Sequence, residues 1–264
     1  MRVGIIQSSY IPWRGYFDFI DQVDLFVFHD DLQFTKGDWR NRNKVKTPKG
    51  LCWLTVPVSY QHTNQLICDT MIDYSQPWAR KHVQQIQAHY AGAPFYRQFA
   101  DEFAAILAQR FRTISELNVA LCCWVMDKLD IFTPIRMSSE LAPVGRKTER
   151  LIDILNKVGA DTYLSGPTAK GYLDEDLLRA HGIRLEYKSY DCPPYPQLWG
   201  GFEGAVTVLD LLFNTGPRAQ RYMHSLTPNE LARRMADPWN YYPEMHNLIP
   251  HEVIRQTCQA ACQT

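Results

Sequence analysis

Residues 2–46 read RVGIIQSSYIPWRGYFDFIDQVDLFVFHDDLQFTKGDWRNRNKVK. The apolar run Val3 to Ile6 needs cover on both faces and then breaks into Gln7-Ser8-Ser9-Tyr10, polar groups for which a core has no use. A strand of a parallel sheet ends in this way at a ligand crevice. Pro12 and Trp13 open a helical pattern in which Trp13, Tyr16, Phe17, Ile20 and Val23 recur at three- and four-residue spacing, with proline suited to a helix start. A second apolar run, Leu25 to Phe28, stops in His29-Asp30-Asp31. Two strands therefore end in polar residues side by side, with a helix N-terminus between them.

The rest of the chain continues this order. Ile135 to Ser138, Thr162 to Leu164 and Arg184 to Tyr187 read as short strands, and Thr148 to Val158, Leu173 to His181 and Val206 to Phe213 as helices, with Thr148 as a cap. Strands alternating with helices predict an α/β fold: a Rossmann-like parallel sheet covered on both faces. Two interruptions are expected. Leu51 to Val58 and Leu66 to Ile72 form an antiparallel hairpin insertion, and Trp78 to Leu129 carries three helices that cap one side of the sheet. The expected organisation is a single domain, 1–264. Its α/β core is 1–50 and 131–216, its β insertion 51–75, its helical cap 76–130, and 217–264 is a tail packing on the core.

Lysines and arginines balance aspartates and glutamates at 28 each. No global field therefore draws the chain to nucleic acid or to an anionic membrane, and neither is expected as a partner. No long apolar run predicts a membrane span, and the expected location is cytoplasmic. The seven cysteines lack metal-like or disulfide spacing. Cys122-Cys123 reads as core, Cys192 as packing and Cys258 with Cys262 as incidental thiols. His82 and His89 share a helical face without a third ligand and read as surface or capping groups, so no metal ligands are nominated.

Chemistry is expected where strand C-termini diverge. Gln7, Tyr10, Asp30, Asp31, Ser138, Ser139, Lys147, Ser165 and Gly166 meet there in this reading. The serines and the glycine are small enough for backbone N–H groups to approach an anion. Asp30 and Asp31 are the candidate catalytic carboxylates, one facing the crevice as a general base and the other capping or pairing with Lys36 or Arg40. A Mg²⁺ site would need further carboxylates nearby, and the spacing supplies none. The basic loop Arg40-Asn41-Arg42-Asn43-Lys44 beside Trp39 suits a phosphate or carboxylate.

The motifs Ile5-Ile6-Gln7, Tyr10, Pro12-Trp13, Gly15-Tyr16-Phe17, Asp30-Asp31, Gln33, Lys36, Trp39 and Arg40-Asn41-Arg42-Asn43 together resemble the WbqC-like family of bacterial proteins, met in gene sets for surface polysaccharides. Lys147-Thr148-Glu149-Arg150-Leu151, Gly159-Ala160-Asp161-Thr162-Tyr163, Ser165-Gly166, Tyr172-Leu173, Tyr195-Pro196-Gln197, Trp199 and Leu211-Leu212-Phe213-Asn214 extend the resemblance over about residues 3–216. It implies an acyl or aminoacyl transferase acting on an amine acceptor such as an amino-sugar nucleotide. The small-molecule substrate would be served by an activated acyl donor or acyl carrier. It also adds Trp13, Tyr16, Gln33, Lys36, Tyr172, Gln197 and Trp199 to the substrate-binding candidates Arg40, Asn41, Arg42 and Lys147. A sugar face is expected on Tyr10, Trp13 or Trp199. The opening strand, turn and helix also look like the HIGH-type nucleotidylyltransferases, but Trp13-Arg14-Gly15-Tyr16 stands where two histidines would handle the triphosphate. Nucleotidyl transfer with ATP or CTP and Mg²⁺, or non-catalytic nucleotide or glycan binding, are therefore the alternatives.

Overall fold

The opening strand, β1 (Arg2–Ile6), lies at the centre of the sheet, with α1 (Arg14–Asp21) and β2 (Leu25–Phe28) after it. The computed structural model describes residues 1–225. The amphipathic stretch Asn229 to Met235, the aromatic stretch Trp239 to Pro243, and Cys258 with Cys262 lie outside them. A hairpin, β3 (Arg42–Thr47) and β4 (Gly50–Thr55), precedes three helices, α2 (Trp78–Tyr90), α3 (Tyr96–Ala108) and α4 (Ile114–Lys128). The chain then forms β5 (Ile135–Met137), α5 (Ser138–Leu141), α6 (Lys147–Val158), β6 (Thr162–Ser165), a 3₁₀ turn (Pro167–Gly171), α7 (Glu175–Ala180) and β7 (Arg184–Tyr187). After a long loop come α8 (Val208–Thr215), a second 3₁₀ turn (Gly216–Arg218) and α9 (Gln220–Met223). Among the described residues no helix is long and apolar enough to cross a membrane.

The central strands pair in parallel in the order β5-β2-β1-β6-β7. From β1 the chain moves one way to β2 and β5, then returns past β1 to β6 and β7. The topological switch point therefore lies between β1 and β6, where crevices form outside the strand ends. The sheet divides two cores with the period of two that a strand imposes. Phe26, Phe28 and Leu164 face α1, the three capping helices and α8. Val3, Ile5, Val27 and Tyr163 face α6 and α7. This is the Rossmann-like α/β sheet with helical cap that the alternation predicts.

Gly4 stands where β1 crosses α1. A Cβ there would meet Phe19 Cε1 at 2.3 Å. Phe19 is fully buried against Phe26, so the helix can come this close only over a glycine. Gly4→Ala is expected to lose about 1–3 kcal/mol of stability through overpacking, read as a lower urea midpoint with unchanged slope. α1 is also anchored through Asp18, whose buried carboxylate pairs with buried Lys188 at 2.6 Å and accepts from Ser225.

The insertion departs from its expected pairing. The partner of the strand at Leu51 is not Leu66 to Ile72 but the basic segment before it: Arg42 pairs with Thr55 and Thr47 with Gly50, around Pro48-Lys49. Leu66 and Ile72 make only isolated bridges, to Gln33 and Val58. The basic residues form a strand because its inward positions hold Asn43 and Val45, both buried. Asn43 Nδ2 donates to the carbonyls of Tyr10 and Ile11, which ties the hairpin to the loop after β1. Helix starts also differ. Thr148 lies inside α6 and accepts instead from the Asp174 N–H, while Thr207 and Asp174 cap α8 and α7.

Candidate functional site

A cavity of about 1150 Å³ opens at the switch point, lined by the ends of β1 and β6 and by the loops that follow β1, β2 and β6. Gln7, Ser9, Trp13 and Tyr16 enter from the first loop and helix, and His29 from the tip of β2. Arg40 comes from the segment before β3, Lys147 and Arg150 from the first turn of α6, and Ser165 and Gly166 from the tip of β6. Three of the four strand tips expected to converge therefore do so. The fourth, after β5, lies behind the wall and bonds to Asp30.

Among the described residues three cations line the cavity, Arg40, Lys147 and Arg150, and no carboxylate does. Arg40 is the most deeply set. Its side chain is 11% exposed, Nη1 donates to Gln7 Oε1 at 2.6 Å, and Asp38 stands off at 3.9 Å. Burial lowers the Arg40 pKa from its ordinary value, against the pull of Asp38, yet so strong a base keeps its charge. Its Nε has no hydrogen-bond partner. Arg150 is paired with Asp31 and donates to the Pro143 carbonyl at 2.7 Å. Lys147 sits in the left-handed region at φ 50, as does Ile11 at φ 42 on the loop after β1. Non-glycine residues persist there only where surrounding structure over-determines them; of these two, Lys147 lines the cavity.

Aromatic rings form the other walls: Trp13, Tyr16, Trp39, Tyr163, Tyr172 and Tyr190. Trp13 and Tyr190 lie 5.0 Å apart between centroids. Gly15 explains how Trp13 is aimed: a Cβ at 15 would meet the indole at 2.4 Å, so the ring lies flat on the first turn of α1. Tyr16 is fixed by its hydroxyl, which donates to the Gln7 carbonyl at 3.0 Å.

His29 is the ionisable group of neutral-range chemistry in the wall. The residue is 7% exposed, and its Nε2 lies 3.7 Å from Asp31 Oδ1 without a hydrogen bond. Burial pushes its pKa down to about 4, opposed by Asp31 and reinforced by Arg150. The ring is therefore neutral at pH 7. Asp31 in turn is held by Arg150 and by the Ser138 hydroxyl. His29, Asp31 and Arg150 form a chain that runs from the cavity wall to α6.

Asp30 lies behind that wall. Its carboxylate accepts from Ser139 N at 3.0 Å, Ser139 Oγ at 2.7 Å and Ser138 Oγ at 3.1 Å, which fastens the start of α5 to the end of β2. Neither aspartate contacts Lys36 or Arg40; the partners are serines and Arg150. Asp30→Asn puts an amide N–H₂ where a donor already points. It is expected to cost about 1–3 kcal/mol of stability while leaving ligand affinity in the cavity intact, as denaturation and calorimetry would show. Unchanged stability with lost turnover would return Asp30 to the chemistry.

The other expected residues fall in three places. Tyr10 is fully buried, its hydroxyl 2.8 Å from His82 Nδ1, and so offers no face to a sugar. His82, expected at the surface, is 4% exposed and belongs to this core contact. Asn41 is buried and donates to the Val56 carbonyl. Gln197 joins a buried network with Lys46, Tyr195 and Asp210, away from the cavity. Trp199 lies with Gly200 and Gly201 beside the hairpin turn and donates to the His89 carbonyl. Gln33 and Lys36 are exposed, and Arg42 lies on the outer face of the hairpin. Gln7, Trp13, Tyr16, Arg40, Lys147, Ser165, Gly166 and Tyr172 do line the cavity. Arg150 escaped the sequence reading, although its spacing of three from Lys147 puts both on one face of α6. Among the described residues no three His, Cys, Asp or Glu side chains are grouped as a metal ion would require.

No solved structure matches the chain. An uncharacterized protein of Mycobacterium tuberculosis, Rv1507c, is 43% identical over 225 residues, which cover 84% of this chain and 97% of that protein. A profile of the WbqC-like protein family matches residues 7–222, which span both halves of the sheet and every cavity-lining side chain from Gln7 onward. The chain belongs to the WbqC-like protein family.

Proposed function

We propose that the cavity binds a nucleotide-linked amino sugar, or a similar anionic amine, and that the protein transfers an acyl or aminoacyl group to its amine. The observation that carries this is the composition of the wall: among the described residues, three cations, no carboxylate and six aromatic rings around about 1150 Å³. Phosphates sit against Arg40 and Lys147, where charge-assisted donors converge. The base or the sugar rests on Trp13 and Tyr190.

The amine nitrogen attacks the carbonyl carbon of an activated acyl donor, a thioester or ester. A C–N bond forms and the C–S or C–O bond breaks. His29, neutral at pH 7, takes the proton released by the nitrogen and returns it to the leaving group, so no electrons are exchanged with any further reactant. Asp31, 3.7 Å from His29 Nε2, steadies the imidazolium as it forms, a division of labour seen wherever a carboxylate orients a histidine base. In this role Asp31 acts through His29, and Asp30 holds the frame.

The test has two stages. Calorimetry with uridine diphosphate N-acetylglucosamine should show binding that Arg40→Gln weakens. Incubation with amino-sugar nucleotides and activated acyl donors should then give a product heavier by the acyl group, less an amine hydrogen. Nucleotide binding with no mass gain for any donor would abandon transfer and leave a nucleotide- or glycan-binding protein. The switch-point location also favours a second reading, nucleotidyl transfer with ATP or CTP and Mg²⁺, in keeping with a remote HIGH-type relationship. It requires metal-dependent pyrophosphate release. Trp13 and Tyr16, where that family's motif carries its two histidines, both line the cavity, and the Tyr16 hydroxyl donates to the Gln7 carbonyl.

A further inference from the structure

The outer face of the β3–β4 hairpin holds a second feature outside the cavity. Trp39 and Trp53 are 41% and 39% exposed, with ring centroids 5.4 Å apart. Arg42 Cζ lies 4.2 Å from the Trp53 ring, and Lys44 Nζ lies 5.0 Å from Trp53 and 5.9 Å from Trp39. The register explains the grouping. Lys44 is directly opposite Trp53, and Arg42 is two positions away on the same face of β3. Neither cation pairs with a carboxylate among the described residues. Two exposed indoles grouped with two cations offer apolar surface and positive charge in one patch, the kind of grouping that marks an interaction site, whereas single exposed residues would need no such explanation. The cluster is also continuous with the cavity, because Trp39 lines both.

We propose that this cluster is a subsite for an acidic sugar residue, a ring with an apolar face and a carboxylate, which extends out of the cavity from the ligand held there. Indole faces take the apolar side of a pyranose, and Arg42 and Lys44 take the carboxylate. Single-stranded nucleic acid would use the same stacking, but it needs a track of cations along many phosphates. Here two cations stand in a chain whose formal charge is zero. Being flat and open, the subsite binds weakly by itself and adds to affinity through its link to the cavity. The extension, though not the subsite, rests on the nucleotide-sugar reading of the cavity.

Native electrophoresis of the full chain through gels containing polygalacturonate, with neutral dextran and free oligothymidylate as comparisons, tests it. Polygalacturonate should retard the protein and dextran should not. Trp53→Ala and Lys44→Gln should each weaken the retardation by about fivefold. Both variants should melt like the parent and keep its affinity for uridine diphosphate N-acetylglucosamine. Retardation that survives Trp53→Ala, retardation by dextran as strong as by polygalacturonate, or oligothymidylate bound as tightly would each overturn the subsite. If instead the nucleotide sugar fails to bind while uronate retardation behaves as expected, the cavity reading falls and the subsite stands.

Discussion

Arg40→Gln is expected to weaken binding of uridine diphosphate N-acetylglucosamine by about 30-fold, roughly 2 kcal/mol. A hydrogen bond to a charged group is worth about 1.5–3 kcal/mol, and Arg40 is placed to make more than one. It is deep in the wall, and its Nε has no hydrogen bond, Asp38 standing 3.9 Å from that atom. Glutamine keeps the length and a donor but not the charge, so the loss reads the electrostatic part. The parent's affinity should fall with added salt more steeply than the variant's. Calorimetry at two ionic strengths makes the comparison, and equal affinities of parent and variant would remove Arg40, and with it the anionic ligand, from the cavity.

Mild acid is expected to destabilise the protein well above the range in which carboxylates titrate. Burial pushes both His29 and His82 down to about 4, while an unfolded histidine titrates near 6.5. The folded state therefore binds fewer protons than the unfolded state between those values. Stability is fully present above about pH 6.5, falls as pH drops towards 4, and levels off below. Each ring is worth on the order of 3 kcal/mol. The cause at His82 is legible. Its ring sits beneath Tyr10, whose hydroxyl is 2.8 Å from Nδ1, while Trp78 packs against it at 5.4 Å. Urea denaturation at pH 7 and at pH 4.5 measures the loss, and His29→Gln should reduce the slope between them. A flat profile across that window would mean both rings protonate without penalty.

What the sequence made legible follows from how strongly each residue's physics constrains it. Val3 to Ile6 and Leu25 to Phe28 can be satisfied only between two covered faces, and the polar tips after them had to reach a crevice. The helices were legible where apolar residues repeat at three and four. The hairpin insertion was legible but the first of its two strands was not, because its inward positions hold Asn43 beside Val45, and an asparagine that satisfies the carbonyls of Tyr10 and Ile11 looks in sequence like a loop residue. His82 was misread by being set beside His89. The informative spacing was four, with Trp78, Ile86 and Tyr90, which marks the buried stripe of α2. Asp30 and Asp31 show the limit for the site itself. Two carboxylates at a strand end look alike in sequence, and only the serines at 138 and 139 and the guanidinium at 150 decide that one holds a helix and the other a histidine's neighbour.

The Asp31–Arg150 pair joins the tip of β2, on one side of the central strand, to the helix that leads into β6 on the other. It works as a cross-brace. The gap between the two wings of the sheet cannot widen without separating two partly desolvated charges, a separation that costs several kcal/mol. For the ligand proposed above, a slot of preset width would leave little binding free energy to be spent on closing it and would select by thickness before any polar group is tested.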